Sequence, residues 1–526
     1  MHKRRLILPA IPLSIGALVL AGCVATATTP AGTTVSDTTN PDSTSDVTIS
    51  GTTGTKAEAV LASNEDATVV RDDEWSVTDA VDIALTGDGA TTSSDGVEVS
   101  ATTVTITAAG VYRLSGSLDG SVTVSAPEDA QVVLILDGVD IENTDGAAIS
   151  VLTADDVAIS LADGSDNTLS DAATYAEDAD VNAALFSEAD LTISGTGSLT
   201  VNGNGNDGIT SEDDLAILSG EITVSAADDA LRGKDSLTIE GGTLALDAGG
   251  DALKSDNDDE DTRGYVVIEG GEISASATDD GIDATTDIVI TGGTLTVSAQ
   301  GDGIHADVAL AIAAGTVVVA QSNEALEGAY ITIEGGDVDL TASDDGINAA
   351  GLATSSGGGG GGMGDTGETV DISGGTVTVD AGGDGLDSNG SMTISGGTVT
   401  VSGPTNDGNG ALDVNGTLAV TGGTVLAVGS AGMAVSPGDS STQAWISALA
   451  SGRAGDTVEI VDSSGSVIAS FTAEKTFGSV VFTSADLTDG ATYTVTVNGA
   501  SVATVTEGTA TAGGMGGGPG GGGQRP

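Results

Sequence analysis

The 526 residues predict an all-β fold: a right-handed parallel β-helix, a solenoid with coils of about 22 residues, closed by a small β-rich C-terminal cap. Three observations predict it. An acidic corner recurs at a constant spacing: Asp229-Ala230-Leu231 is followed by Asp251-Ala252-Leu253, and Asp280-Gly281-Ile282 by Asp302-Gly303-Ile304. Glu324-Ala325-Leu326, Asp345-Gly346-Ile347 and Asp384-Gly385-Leu386 continue the series. A second pattern, I-x-I-x-G-G-x-I/L-x-V, follows the corners at residues 237–246, 267–274, 288–297, 331–340, 370–379, 392–401 and 418–425. Its alternation turns Ile, Leu and Val inward and Thr, Ser and Asp outward, and its double glycine permits a tight reversal. Finally, no stretch of useful length carries a 3.6-residue period. A propeller needs about 40–45 residues per blade, and a leucine-rich repeat needs an L-x-x-L-x-L frame that is missing.

The elements follow in order. His2, Lys3, Arg4 and Arg5 form a charged start, and residues 6–20 form an apolar stretch too short to span a bilayer comfortably. Leu20-Ala21-Gly22-Cys23 then resembles the bacterial lipobox, in which the cysteine becomes the mature N-terminus and carries diacylglycerol. Residues 1–23 are therefore expected to be a lipoprotein signal, with Cys23 the lipid anchor. The protein is expected outside the cell, tethered to a bacterial membrane. Cys23 is the sole cysteine, so no intrachain disulfide forms.

Residues 24–72 are rich in Thr, Ser, Ala, Gly and Pro and read as a disordered spacer. The β-helix is assigned to residues 73–430. It opens with β-branched runs at 97–99, 104–107, 122–124 and 132–139, and the regular period settles in from Asp207. Insertions at 256–263 and 351–367 lengthen two coils; the second holds a glycine tract and reads as a surface loop. Residues 431–511, with Trp445 and β-rich runs at 457–461, 480–482 and 493–497, are expected to cap the open end of the last coil. The glycine-rich tail at 512–526 is expected to be disordered.

Charge narrows the chemistry. Seventy-eight acidic residues against 13 Lys plus Arg give a formal charge of −65, which excludes nucleic acid as a partner. Stacked coils bring the corner acids into columns. One holds Asp229, Asp251, Asp280, Asp302, Glu324, Asp345 and Asp384; the other, three residues on, holds Arg232, Lys254, Asp283, His305, Glu327, Asn348 and Asp387. Neighbouring carboxylates about 5 Å apart repel by about 1 kcal/mol even in water. Basic residues, raised pKa values or bound cations must relieve that repulsion. Between Arg113 and Arg453 the only basic residues are Arg232, Lys234, Lys254 and Arg263. Hard oxygen donors without thiolate select a hard cation, and outside a cell that means calcium. The candidate metal ligands are Asp229, Asp251, Asp256, Asp258, Asp280, Asp283, Asp302, Asp307, Asp344, Asp345, Asp384 and Asp387. The acidic insertion lacks the glycine and terminal glutamate of an EF-hand. His305 reads as a hydrogen-bonded member of its column.

Several motifs together resemble one family. Residues 132–143 read VVLILDGVDIEN. Ala184-Leu185-Phe186-Ser187 precedes Asp190-Leu191-Thr192-Ile193-Ser194-Gly195-Thr196-Gly197, and Asp207-Gly208-Ile209 follows. Then come Asp302-Gly303-Ile304-His305-Ala306, Glu324-Ala325-Leu326-Glu327-Gly328 and Asp344-Asp345-Gly346-Ile347-Asn348. These are similar to secreted bacterial carbohydrate-binding β-helix proteins with a polysaccharide-lyase-like fold. The resemblance spans roughly residues 75–500 and implies binding of cellulose or pectin-type acidic sugars, with calcium held at the corner acids. Ala230 and Ala252 replace the glycine found at Asp280-Gly281, Asp302-Gly303, Asp345-Gly346 and Asp384-Gly385.

The leading expectation is a non-catalytic, calcium-dependent carbohydrate-binding protein, monomeric, with polysaccharide as partner. Aromatics are 2% of the chain, and Tyr265 and Tyr330 are the only ones in the repeat array, which favours acidic glycan over cellulose because neutral sugars are usually gripped by aromatic faces. Arg232, Lys234 and Lys254 are candidate ligand-binding residues. They also supply the alternative, a calcium-dependent lyase in which a basic side chain removes a proton α to a carboxylate, unless they merely neutralise neighbouring aspartates. A structural or adhesive surface protein, with calcium for stability alone, is the third reading.

Overall fold

The computed structural model describes residues 55–176, 179–352 and 364–510. The lipobox cysteine, most of the proposed spacer, the glycine tract and the whole tail lie outside the described residues. Among the described residues no helix is long and apolar enough to cross a membrane.

The chain is all-β and dominated by parallel pairing, in a solenoid-like stack of short strands. Leu231 lies opposite Leu253 and Ile282 opposite Ile304, one sequence repeat apart in each case. The two insertions stretch the offset without breaking it: Leu253 pairs across the first with Ile282, and Ile347 across the second with Leu386. Three files of strands run along the stack. The first contains Leu231–Gly233, Leu253–Ser255 and Ile282–Ala284; the second Ser236–Ile239, Tyr265–Ile268 and Asp287–Ile290; the third Thr243–Ala248, Glu272–Ala277 and Thr294–Ser298. Parallel partners link each strand to its counterpart in the next layer.

Alternation accounts for the core. Leu244, Leu246, Ile273, Leu295 and Val297 point inward and are almost wholly buried, while Thr243, Glu272 and Thr294 between or beside them face solvent. One continuous apolar cluster runs from Ile83 to Val481. Each buried Leu or Ile contributes about 1.5–3 kcal/mol, and only the adjoining layers make that burial possible. The second glycine of the Gly-Gly pair makes the turn: Gly293 has φ +80°, and a Cβ there would lie 2.8 Å from the Gly270 carbonyl of the preceding layer.

Both ends are covered. At the start, Val97–Ser100 pairs antiparallel with Thr103–Ile106. At the other end Phe477–Thr483 pairs antiparallel with Thr424–Gly429, which supplies partners to a strand edge otherwise open. Beyond it a separate four-stranded sheet, built from Thr457–Val461, Val467–Thr472, Thr492–Val497 and Ala500–Thr506, closes over Val458, Ile460, Phe482 and Tyr493.

Residues 55–72 correct the expectation of a spacer disordered as far as residue 72. They form a strap across the outward face of the second strand file. That face is apolar, with Val267, Val289 and Ala311 on it, and the short helix Ala57–Leu61 buries Ala57 and Val60 there. Farther along, Val70 is buried against Val111, Val133 and Ile135. Polar contacts pin the strap: Ala57 N–H donates to Glu334 at 3.0 Å, Thr68 N–H to Asp214 at 2.7 Å, and Arg71 makes a bidentate pair with Glu240 at 2.6 Å. The Thr/Ser-rich composition hid these few apolar contacts.

Candidate functional site

The corner between the third and first files gathers the acidic columns. Strand register reproduces the second column in the order read from spacing: Arg232 opposite Lys254, Lys254 opposite Asp283, Asp283 opposite His305, His305 opposite Glu327, Glu327 opposite Asn348, and Asn348 opposite Asp387. Asp413 extends it opposite Asp387. The sequence signal for Asp413 was there, since Leu412-Asp413-Val414 repeats Leu386-Asp387-Ser388.

The first column forms a ladder that spacing alone did not predict. Asp229 Oδ1 accepts the Asp251 backbone N–H at 2.8 Å, Asp251 Oδ1 that of Asp280 at 2.8 Å, Asp280 Oδ1 that of Asp302 at 2.6 Å, and Asp302 Oδ1 that of Glu324 at 3.0 Å. Asp207 starts the ladder beneath Asp229, and Asp345 and Asp384 resume it above. It breaks at Glu324, the one longer side chain in the series. Each carboxylate thus gives one oxygen to an otherwise unpaired corner amide; the second oxygen of Asp207 accepts from Thr210, and those of Asp229 and Asp251 face Lys254. Burial still outweighs the amides. It pushes Asp280 and Asp384 up to about 7, and Asp207 and Asp345 up to about 6. Asp387 rises to about 7 through burial and then through Asp384, Asp413 and Asp345.

The basic residues are committed elsewhere. Arg232 donates through Nη1 to Glu212 at 2.7 Å and through Nε to both Asp256 oxygens at 3.1 and 3.0 Å. Lys254 Nζ lies 2.6 Å from Asp251 Oδ2 and 3.4 Å from Asp229 Oδ2. Lys234 lies 3.5 Å from Glu212. All three proposed ligand-binding cations are therefore engaged by carboxylates, and Asp229, Asp251 and Asp256 have lost oxygens to them.

Beside Lys254 and beyond it, acidic side chains converge. Asp251, Asp279 and Asp280 form one group, Asp280, Asp283 and His305 a second, and Asp302, Glu324 and Glu327 a third; within each, one donor atom per residue lies within 4.8 Å of the others. Oxygens sharing a hard cation at about 2.4 Å lie no more than about 5 Å apart, so each group is compact enough to hold one. His305 Nδ1 is 3.0 Å from Asp283 Oδ1, which raises the imidazole to about 9 against the opposing effect of its burial. Glu324 and Glu327 are both held well above the usual carboxylate range by burial and by Asp302.

Not every predicted ligand joins. Asp258 is exposed on the insertion, Asp344 is exposed beside Asp345, and Asp307 is exposed 3.7 Å from His305 Nε2. Sequence reasoning did not include Asp279, Glu324 and Glu327 among the candidate ligands; the doublet Asp279-Asp280 and the Glu-x-x-Glu spacing were the available signals. It also missed Asp190, Asp213 and Asp214, which converge beneath the strap in a pocket of about 160 Å³ with Glu65, Asp66 and Arg263. An open cleft of about 470 Å³ lies at the start of the ladder, lined by Asn182, Glu188, Asp207, Asp228, Arg232 and Lys254 among others.

Comparison with known proteins gives this arrangement a context. A carbohydrate-binding domain-containing protein of Acetivibrio thermocellus is 42% identical over 137 residues, 25% of this chain and 48% of the relative, so the chain spans about half the length of the curated relative it matches. The solved structure of a polysaccharide lyase-like protein from C. thermocellum, a gadolinium derivative, is similar at 40% identity and a TM-score of 0.44, covering 44% of this chain and 97% of that one. Residues 100–361 match the family model described as carbohydrate-binding domain-containing protein. Over those residues the chain is a homologue of the carbohydrate-binding domain family.

Proposed function

We propose that the chain is a non-catalytic, calcium-dependent receptor for acidic, uronate-containing polysaccharide, displayed outside a bacterial membrane on lipid at Cys23. Its scaffold in this reading is a right-handed parallel β-helix with coils of about 22 residues, acting as a monomer. One observation carries the proposal. Two compact carboxylate groups, Asp251 with Asp279 and Asp280 and Asp302 with Glu324 and Glu327, lie along one corner with Asp283 and His305 between them, and no Lys or Arg occurs between Arg263 and Arg453. Calcium at these groups would leave coordination positions for a uronate carboxylate, since the ion takes six to eight oxygens. Without it a chain of charge −65 repels an acidic glycan.

The state of the basic residues supports the absence of catalysis. A lyase base must lose its proton. Burial works to lower Lys254, yet the carboxylates of Asp251 and Asp229 raise it above its ordinary value. Arg232 is raised likewise, against its burial, by Asp256 and Glu212. The amide ladder favours a second reading, in which the corner acids serve the fold and calcium adds stability alone.

Retention of the chain on immobilised polygalacturonate, with calcium and with chelator, tests the proposal. Capture should require calcium and should be lost in Asp283→Asn/Glu327→Gln with the fold intact. Retention indifferent to chelator, or no retention on any glycan, would overturn it; the latter leaves the structural reading.

A further inference from the structure

The strap across the second strand file closes over a carboxylate that has no counter-ion. Asp287 opens the strand Asp287–Ile290, and alternation puts it on the outward face with Val289, which Ala57 and Val60 cover. It is only 7% exposed. Its Oδ1 accepts the Ala309 N–H of the next layer at 3.1 Å. From the strap, Asn64 lies against it, and the Asn64 amide favours the charged carboxylate. It does so outside good hydrogen-bond geometry: both polar atoms of the Asn64 side chain are cut off from water without a partner among the described residues.

The titratable groups on the elements packed around Asp287 do not neutralise it. Glu65 and Asp66 follow Asn64 on the strap, Tyr265 lies in the layer below, Asp307 in the layer above, and Arg263 ends the insertion; none of them acts on its charge. Arg263 is engaged by Asp235 and, at 3.3 Å, by Glu65. The Tyr265 hydroxyl donates to the Glu65 carbonyl at 2.6 Å. A carboxylate so enclosed is costly to ionise, and lifting the strap would return both Asp287 and Asn64 to water.

The ends of the strap are held differently. Lys56 Nζ lies 3.2 Å from Glu334, and Arg71 grips Glu240 through two bonds. Those contacts join ionised groups and persist at neutral pH. The stretch between Val60 and Glu65 rests instead on a group that is buried most readily when neutral.

We infer that the N-terminal strap is a pH-operated latch: it lies closed on the second file while Asp287 carries its proton and lifts around Asn64 when that proton leaves. The inference rests on neither calcium nor glycan. Burial lifts Asp287 from its ordinary 3.8 to about 7, against the Ala309 amide and Asn64. The closed strap therefore holds the proton more tightly than the open one. Closure is strongest below about 4, weakens as pH rises, and levels off above about 7. Asp190 and Asp213, raised to about 6 first by burial near Thr68 of the same strap, add a loss in the same direction.

Hydrogen exchange of the full chain in chelator tests it, read by mass spectrometry over residues 57–66 and corrected for the intrinsic pH dependence of exchange. Opening should grow about tenfold per pH unit between about 4 and 7 and then level off. Asp287→Asn keeps an oxygen for Ala309 and cannot ionise, so its strap should stay protected across the range. Asn64→Asp, a change confined to the strap, puts a second carboxylate over the first and should raise opening about tenfold at pH 7. Amides of the third file should remain protected at every pH. A flat wild-type profile would overturn the inference, as would exchange of Asn64→Asp equal to wild type at pH 7. A slope that survives in Asp287→Asn would also sink it, passing the pH response to Asp190 and Asp213. Loss of strap and third-file protection together would do the same, since the stack rather than the strap would be opening.

Discussion

Asp280 accepts the backbone N–H of Asp302 through Oδ1 at 2.6 Å, although both residues carry acids in the same column. The contact resolves part of the electrostatic problem posed by the stack. A corner residue has lost its regular strand partner, and the aspartate below supplies one. The column is thus sustained partly by amide dipoles and partly by raised pKa values, before any cation is considered.

Removing that acceptor should show its worth. Asp280→Ala leaves the Asp302 amide unpaired at a half-buried corner and should cost about 1–3 kcal/mol, read from denaturant unfolding. Asp280→Asn keeps an accepting oxygen and should lose much less. Equal loss in both variants would mean that the carboxylate charge, rather than the amide bond, matters there.

Acid should stabilise the metal-free protein. Asp280 and Asp384 titrate near 7 when folded, against the ordinary value near 4, because burial disfavours their charge. The folded state therefore binds more protons between those values. Stability is fully present below about 4 and is lost as pH rises toward and through about 7. His305, raised to about 9 by Asp283, adds a loss in the same direction at higher pH. Glu212 works oppositely: burial tends to raise it, but Arg232 and Lys234 hold it below its usual value. Melting temperature in chelator should fall from about pH 5 to about pH 8, and any stabilisation by added calcium should grow over the same range, because binding needs the deprotonated acids.

Lys254→Ala should damage the fold rather than a reaction. It strands Asp229 and Asp251, both nearly buried, without their shared counter-ion, and should cost about 3 kcal/mol. Lys254→Arg, which can keep both contacts, should recover much of this. Unsaturated uronide released by the wild-type chain and abolished by Lys254→Ala at unchanged stability would reverse this assignment.

Val60→Asp should lift the strap. Val60 is 5% exposed against Val289 and Ala311, and an unpaired charge in that contact should cost about 2–3 kcal/mol locally. Limited proteolysis should then cut within residues 55–72 while the body melts as before. Protection equal to wild type would show that Arg71–Glu240 and the other polar contacts suffice.

Much of the site was legible in the sequence because a solenoid writes its contacts at a constant offset. That offset put Lys254 over Arg232 and His305 over Asp283, and the strand register agrees for each step of the column. Alternation likewise separated Leu295 and Val297 from Thr294 and Thr296.

Tertiary structure decided what has no period. That Asp256 turns back to Arg232, that Asp190, Asp213 and Asp214 meet beneath Glu65 and Asp66, and that Val60 covers Val289 all join segments of unrelated spacing. Side-chain length at the bend also decides whether a corner acid reaches the amide of the next layer, as the break at Glu324 demonstrates. A repeat fixes which residues are neighbours along the stack, because each layer rests on the last. It leaves open which of those neighbours neutralise one another, because that follows from atomic distances no repeat encodes.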